Sequence, residues 1–448
     1  MKIMTNCLML KVPFFAFITV GLSACGSQIN CLGFSGTQSN IKSMSSGSIN
    51  ISIDGSGSMK GFAASSNSLY QRVIEELDSI LGVSPALNMP ATKTQVFRIG
   101  RQSSPSEDPD QPIVLNSLMT ARRIDLYEPT ANSSWPKVSS SIDQFVTQDP
   151  GSLDILISDL EPDDASIKQL LTAVMPKLKQ NPNKKSWWPG RKERLAGNQL
   201  TLIGMKSQFN GGVFPSVKGA FPSFPFKGLR PFYILILGPV EQSELLINRL
   251  TSLNLDPGQW QISRFAANPA YGKTNFYDQS QTSVQPEDCF YPAFSINKGL
   301  SGKLRFDDAK KWLIMKKGNL CQSNQLKISF VLPELQGFGS NIISEKNILN
   351  VRNALPININ IAENQSSIQL ESSIPSGSIN VIEASLKSDQ LDRRKWLDWN
   401  MDPSSPNGTK TQRLLRLVNS LRSETDLYAM KEFAQKYSPL RLCAAIKS

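Results

Sequence analysis

Five oxygen-bearing side chains carry the chemistry this sequence can offer. Asp54, Ser56 and Ser58 alternate within Asp54-Gly55-Ser56-Gly57-Ser58, and Thr130 and Asp159 follow later in the chain. The alternation sets one carboxylate and two hydroxyls on one side of an extended turn, where they can converge on a cation. Oxygen-only ligation suits Mg²⁺, which takes near-octahedral geometry at about 2.0–2.1 Å and keeps part of its water shell; Mn²⁺ and Ca²⁺ accept similar donors. The stretch Asp54–Ser58 read without the rest of the chain also describes an ordinary Gly/Ser turn after a strand. Histidine is absent from all 448 residues. Imidazole-based acid–base chemistry, a Ser-His-Asp triad and every zinc site that needs imidazole are thereby excluded.

These side chains must be held by the elements around them. Ile49, Ile51 and Ile53 alternate with small polar residues, a strand leading into Asp54. Leu69, Val73, Leu77, Ile80 and Leu81 fall at helical spacing. Val96, Phe97 and Ile99 mark a second strand; a third is expected within 113–127, and a helix through Val138, Ile142, Phe145 and Val146. The run Leu153–Ser158 is nearly all apolar and ends at Asp159, as buried parallel strands do. A helix from about 164 should end or kink at Pro176. Leu200–Met205 and Phe232–Leu237 read as further buried strands, and Glu241–Leu250 as a closing helix. Strands alternating with helices imply an α/β fold with a doubly wound, mostly parallel sheet. Loops at the carboxyl ends of such strands meet in one crevice, which would gather Asp54, Ser56, Ser58, Thr130 and Asp159.

The order Asp-x-Ser-x-Ser, then Thr, then Asp resembles the metal-ion-dependent adhesion site of von Willebrand factor A domains, over residues 48–255. The resemblance implies that Ser56, Ser58 and Thr130 ligate an ion directly while Asp54 and Asp159 act directly or through water. It also implies an open coordination position for an acidic side chain of a protein partner. Two departures stand out: Glu128-Pro129 precede Thr130 where the family often has glycines, and Leu160 follows Asp159 where it often has Gly.

Residues 1–24 read as a signal peptide, with Lys2 and Lys11 before a short apolar run. Leu22-Ser23-Ala24-Cys25 resembles the lipobox of bacterial lipoproteins, which implies acylation of Cys25 and a cell-envelope location; simple cleavage after Ala24 is the alternative. Residues 25–47, rich in Ser, Gly, Asn and Gln, make a flexible tether. The net charge of +11 favours anionic partners. In an exported chain this points to a lipid surface or an acidic protein, with no nucleic acid expected.

Two stretches could be surface devices. Residues 206–230, read as a loop on the metal face, carry Phe209, Phe214, Phe221, Phe224 and Phe226. These rings either pack a loop core or form an apolar rim that contacts a partner, with Phe221, Phe224 and Phe226 as the candidate anchors. Residues 181–194 interleave Trp187 and Trp188 with lysines and arginines. They are either a solvated linker or a membrane-interface segment. Residues 256–385 read as a β-rich domain and 386–448 as a helical tail packed on the body by Trp396 and Trp399. Cys289 and Cys321 are the candidate disulfide pair of an exported chain.

Three functions fit these readings. The first is a membrane-anchored, metal-dependent protein-binding module that is not an enzyme. The second is a metal-dependent phosphoester hydrolase, for which Ser56 stands where a haloacid-dehalogenase-type second Asp would be needed. The third is a structural lipoprotein whose metal site is vestigial. Lipid anchoring is tested directly: Cys25→Ser should move the protein from the membrane fraction to the soluble one. Continued sedimentation with membranes after a high-salt wash would shift attention to residues 181–194.

Overall fold

The structure, a computed structural model, describes residues 47–82, 93–102, 111–128, 135–149, 151–179, 197–214, 216, 222–267 (except 252, 254 and 257) and 388–433 (except 403). Between 268 and 387 and after 433 it describes strands only. The signal segment, Cys25, the tether, Thr130, residues 181–194, Phe221, Cys289 and Cys321 lie outside the described residues.

In chain order the first unit consists of β1 (Ile49–Asp54), α1 (Lys60–Ala63), α2 (Leu69–Gly82), β2 (Thr94–Ile99), β3 (Arg101–Gln102), β4 (Ile113–Leu115), β5 (Val138–Ser139), β6 (Leu153–Ser158), α3 (Asp164–Lys179), β7 (Asn198–Val213), β8 (Phe224–Pro239), α4 (Val240–Thr251) and β9 (Trp260–Ala266). Seven strands make one sheet in the order β4-β2-β1-β6-β8-β7-β9. β1 lies at its heart, buried at every position and parallel to both β2 and β6. This half matches the parallel expectation and brings the carboxyl ends of β1, β2 and β6 side by side. The remaining pairings are antiparallel: β4 runs against β2, β8 against β6 and β7, and β9 against β7. The sheet is therefore mixed, within an α/β fold.

Helices cover both faces. On one side Phe62, Tyr70, Val73, Leu77, Leu246 and Leu250, from α1, α2 and α4, pack against Ile51, Ile155 and Ile234. On the other, Ile167, Leu170 and Val174 of α3 share a core with residues from far down the chain. Those come from α5 (Ser388–Leu397) and α6 (Leu414–Phe433): Trp396, Leu414, Leu417, Val418 and Leu421 all join that core, with Trp399 just after α5. The expected helical tail is thus the second cover of the sheet. The chain's last strand, Leu440–Lys447, pairs instead with Ile379–Leu386 in the β-rich part. A second β-rich sheet joins Gln325–Val331, Ser367–Ser373 and Ile357–Ile361 in antiparallel register.

Other expectations are corrected. The strand expected within 113–127 is present as the three-residue β4 before the chain turns into 3-10 helix, whereas the helix expected through Val138–Val146 is instead the short β5 and a 3-10 turn at 142–145. α3 continues past Pro176, which faces solvent, so water can satisfy the carbonyl that its missing N–H leaves free. The sheet also runs beyond 255, since β9 pairs along β7 from Met205 to Gln199. Among the described residues no helix is long and apolar enough to cross a membrane.

The loop expected at 206–230 is largely a hairpin arm. Its flanks, 206–213 and 224–231, pair with each other from Lys206↔Pro231 to Val213↔Phe224. At about 3.3 Å per residue they reach roughly 25 Å past the carboxyl edge of β6. Glycines and prolines hid these strands from a reading by periodicity. Their rings seat on glycines elsewhere in the chain: a side chain at Gly61 would meet the Phe209 ring at 2.3 Å, and one at Gly408 would meet Phe226 at 2.2 Å.

At the opposite pole Asp154 of β6 and Lys177 of α3 form a fully buried ion pair at 2.6 Å. Asp154 also accepts from Asn50 at 2.9 Å, from the Thr147 backbone at 2.7 Å and from Ser152 at 2.9 Å. Removing one partner of such a pair strands a buried charge. Asp154→Ala should therefore lower stability by about 3–5 kcal/mol, measured by urea unfolding. A loss below about 1 kcal/mol would show that the pair is dispensable.

Candidate metal centre

The turn after β1 is shaped before any ligand is considered. Gly55 donates its N–H to the Ile99 carbonyl at 2.9 Å, and Ser56 N–H turns back to Asp54 Oδ1 at 3.0 Å. Gly55 has no room for a side chain, because a Cβ there would sit 2.6 Å from Arg98 Nε. Met59 and Phe62, both buried, then anchor the short helix that follows. Ser56 and Ser58 emerge with their hydroxyl oxygens 3.0 Å apart. Two neighbouring vertices of an octahedron with bonds of about 2.0–2.1 Å lie about 2.9–3.0 Å apart, so this pair has the spacing a Mg²⁺ shell requires.

Asp159 follows β6 on the adjacent strand end. Leu160 beside it takes a left-handed backbone, φ 45°, which disfavours a branched side chain and suits glycine. The position where the resembled family often has Gly therefore has glycine-like geometry here. Burial of the Leu160 side chain in the second core and a hydrogen bond from its N–H to Ser158 Oγ at 3.0 Å hold the strained turn. Asp159 is buried, and its Oδ2 has no hydrogen-bond partner.

Two buried arginines border the carboxylates. Arg98, on β2, donates to the Gly55 carbonyl at 3.1 Å, Leu126 at 3.0 Å and Pro136 at 2.8 Å. Burial lowers its pKa, and the Asp54 charge opposes that shift. Arg230, at the base of the hairpin arm, donates to Glu161 at 2.6 Å and to the Gly408 carbonyl at 3.1 Å. Its guanidinium reaches Asp159 Oδ2 only at 3.8 Å, an attraction without a hydrogen bond. Burial pushes the Asp159 carboxyl up to about 6, against the pull of Arg230 and with the push of Asp54, while a hydrogen bond with Ser58 lowers it. Burial likewise raises Glu161 to about 7, again opposed by Arg230.

Asp54, Ser56, Ser58 and Asp159 thus gather at neighbouring strand ends as the spacing implied, while Thr130 lies outside the described residues. The orphaned Asp159 oxygen and the hydroxyl pair fit a hard divalent cation. Among the described residues no group of three or more Cys, Asp or Glu gathers as a metal site, so a cation held here would need the hydroxyls as ligands. Of the aromatic candidates, Phe224 and Phe226 are half-buried against the core, and Phe226 lies 6.4 Å from the Phe209 ring. Phe214 and Leu229 are the exposed apolar residues of the arm.

Sequence reasoning missed Arg98, Ser140, Ser158, Glu161 and Arg230. Ser158 could have been found as the one hydroxyl ending an apolar strand, and Arg230 as a charge just before another. Ser140 had no signal, standing within three consecutive serines. Comparison with protein families, with curated proteins and with solved structures finds no match to this chain.

A cation needs the ionised Asp159, so protons compete with it. Calorimetric titration with Mg²⁺ should give a steady affinity above pH 7 and a fall of roughly tenfold per unit below about pH 6. A flat profile from pH 5 to 8 would exclude Asp159 as a ligand.

Proposed function

We propose that this chain is a membrane-anchored, divalent-metal-dependent protein-binding module of the von Willebrand A kind, held at the bacterial cell envelope through a lipid on Cys25. The observation that carries the reading is the buried Asp159 Oδ2, without a hydrogen bond and with Arg230 no nearer than 3.8 Å, beside the Ser56–Ser58 hydroxyl pair at parallel strand ends. A buried carboxylate oxygen left without a donor is costly, and a cation relieves it. Ser56, Ser58 and Asp159 would hold Mg²⁺, with Thr130 as the further ligand that the sequence pattern supplies and Asp54 anchoring the turn.

The bound ion would supply a Lewis-acidic position for an anionic oxygen. The protein's own charges favour that use. Arg98 and Arg230 offset part of the carboxylate charge, so a loaded centre is short of negative charge and an acidic side chain of a partner makes up the deficit. The absence of histidine removes the commonest general base, which favours capture over turnover. Selection among acidic partners would fall to the surrounding surface, where the hairpin arm presents Phe214 and Leu229.

Capture from an envelope extract by purified protein is expected with Mg²⁺ and not with chelator. Asp159→Asn and Ser58→Ala should each lose both Mg²⁺ binding and the captured partner while keeping the wild-type circular dichroism. Partner capture that survives chelator and both substitutions would end the metal-dependent reading.

A further inference from the structure

We propose that Ser140 is a positioning residue of the metal centre, holding the Asp54 carboxylate in the orientation that shapes the Ser56–Ser58 turn. The inference rests on reading the cluster as a divalent-cation site.

Asp54 is fully buried, and each of its oxygens is spoken for. Oδ1 accepts from Ser56 N–H at 3.0 Å. Oδ2 accepts two hydroxyls, Ser140 Oγ at 2.7 Å and Ser158 Oγ at 2.7 Å. The three bonds fix the carboxylate plane, and through Oδ1 they fix the turn that presents the hydroxyls. Ser158 reaches Asp54 from inside the sheet and also accepts from Leu160 N–H, which ties the Asp54 end to the Asp159 end. Ser140 reaches it from outside, on an exposed residue remote from the Asp-x-Ser-x-Ser turn in sequence.

The fold goes to some length to deliver that hydroxyl. After β2 the backbone at Gly100 takes φ 146°, and a side chain there would lie 2.5 Å from Val138. This turn lets β3 pair with β5 through Arg101↔Ser139 and Gln102↔Val138. Ser139 Oγ donates to the Arg101 carbonyl at 3.2 Å, and Gln144 Oε1 accepts from Gly100 N–H at 3.0 Å. Ser140 is the next residue, carried to Asp54 by this two-residue ladder. Its outer side borders a cavity of about 170 Å³ shared with Glu161 and Ser166. Removing the hydroxyl therefore leaves no sealed void, and the fold should tolerate it.

Groups that orient metal ligands typically change affinity by about 10–100-fold when removed. Full-length protein carrying Ser140→Ala is expected to bind Mg²⁺ at least tenfold more weakly by calorimetry, with Ser140→Thr restoring affinity to within about threefold. The melting temperature of the metal-free protein should shift by no more than about 2 °C. Wild-type affinity in Ser140→Ala would overturn the positioning role and leave the metal reading standing. A large fall in metal-free stability without rescue by threonine would assign Ser140 to the fold instead. Failure of the wild type to bind Mg²⁺, Mn²⁺ or Ca²⁺ would overturn both.

Discussion

Two carboxylates taken out of water at the ends of neighbouring parallel strands set the terms for the rest of this molecule. Asp54 and Asp159 are both buried, and β1 and β6 hold them side by side. Buried like charges repel and lack solvation, so each must find donors or a cation. Asp54 is satisfied by one backbone N–H and two hydroxyls. Asp159 keeps one oxygen, Oδ2, without a hydrogen bond and with Arg230 only at 3.8 Å, and burial pushes its carboxyl up to about 6. That asymmetry distinguishes a carboxylate that organises the turn from one left open to a ligand.

The surroundings answer that constraint from distant parts of the chain. Arg98 staples the Gly55 turn to the carbonyls of Leu126 and Pro136, which bracket the segment containing Thr130 in sequence. Arg230 stands on the hairpin arm, stacked 5.3 Å from the Phe209 ring, and bridges Glu161 to Gly408. Gln412 accepts from Ser216 on the arm's connecting segment at 2.8 Å. The segment around 400–412 comes after all but the last strand of the β-rich part, yet its Gly408 carbonyl holds Arg230 beside the centre. Antiparallel pairing of β7 with β8 makes this possible, because a hairpin can run past the sheet edge where a helical crossover would turn away.

The same arrangement explains why the sheet has two characters. Its parallel half carries the clustered carboxylates and hydroxyls, since parallel strands place all their carboxyl ends on one edge. Its antiparallel half carries the brace. The α5–α6 pair seals the second face, with Trp396 buried between Tyr233 at 6.2 Å and Trp399 at 5.7 Å. The β-rich part is therefore inserted between two segments of one α/β body, and the chain returns to it only for its final strand.

Much of this was legible in the residues. Ile49–Asp54 and Leu153–Ser158 announced themselves because period and apolarity are local properties of a strand. The helix beginning at Leu69, and the stripe at Leu414–Leu421, followed from spacing for the same reason. The convergence of Asp54, Ser56, Ser58 and Asp159 followed once strand ends were known, since an edge common to parallel strands needs no further information. What local pattern could not carry was partnership. The arm at 206–231 lacks a clean period because its glycines lie against the backbone of α1 and the arm's own rings, a Cβ at Gly211 meeting Gly61 Cα at 2.9 Å and one at Gly228 meeting Phe226 at 2.9 Å, while Gly61 and Gly408 elsewhere make room for Phe209 and Phe226. The roles of Ser140, Arg98 and Arg230 depend on which backbone and carboxyl oxygens lie within 3 Å or so across the fold. Sequence alone determined the donors and the strands that bear them. Only the tertiary structure decided which carboxylate is satisfied and which stays open, because hydrogen-bond satisfaction is a property of neighbours in space.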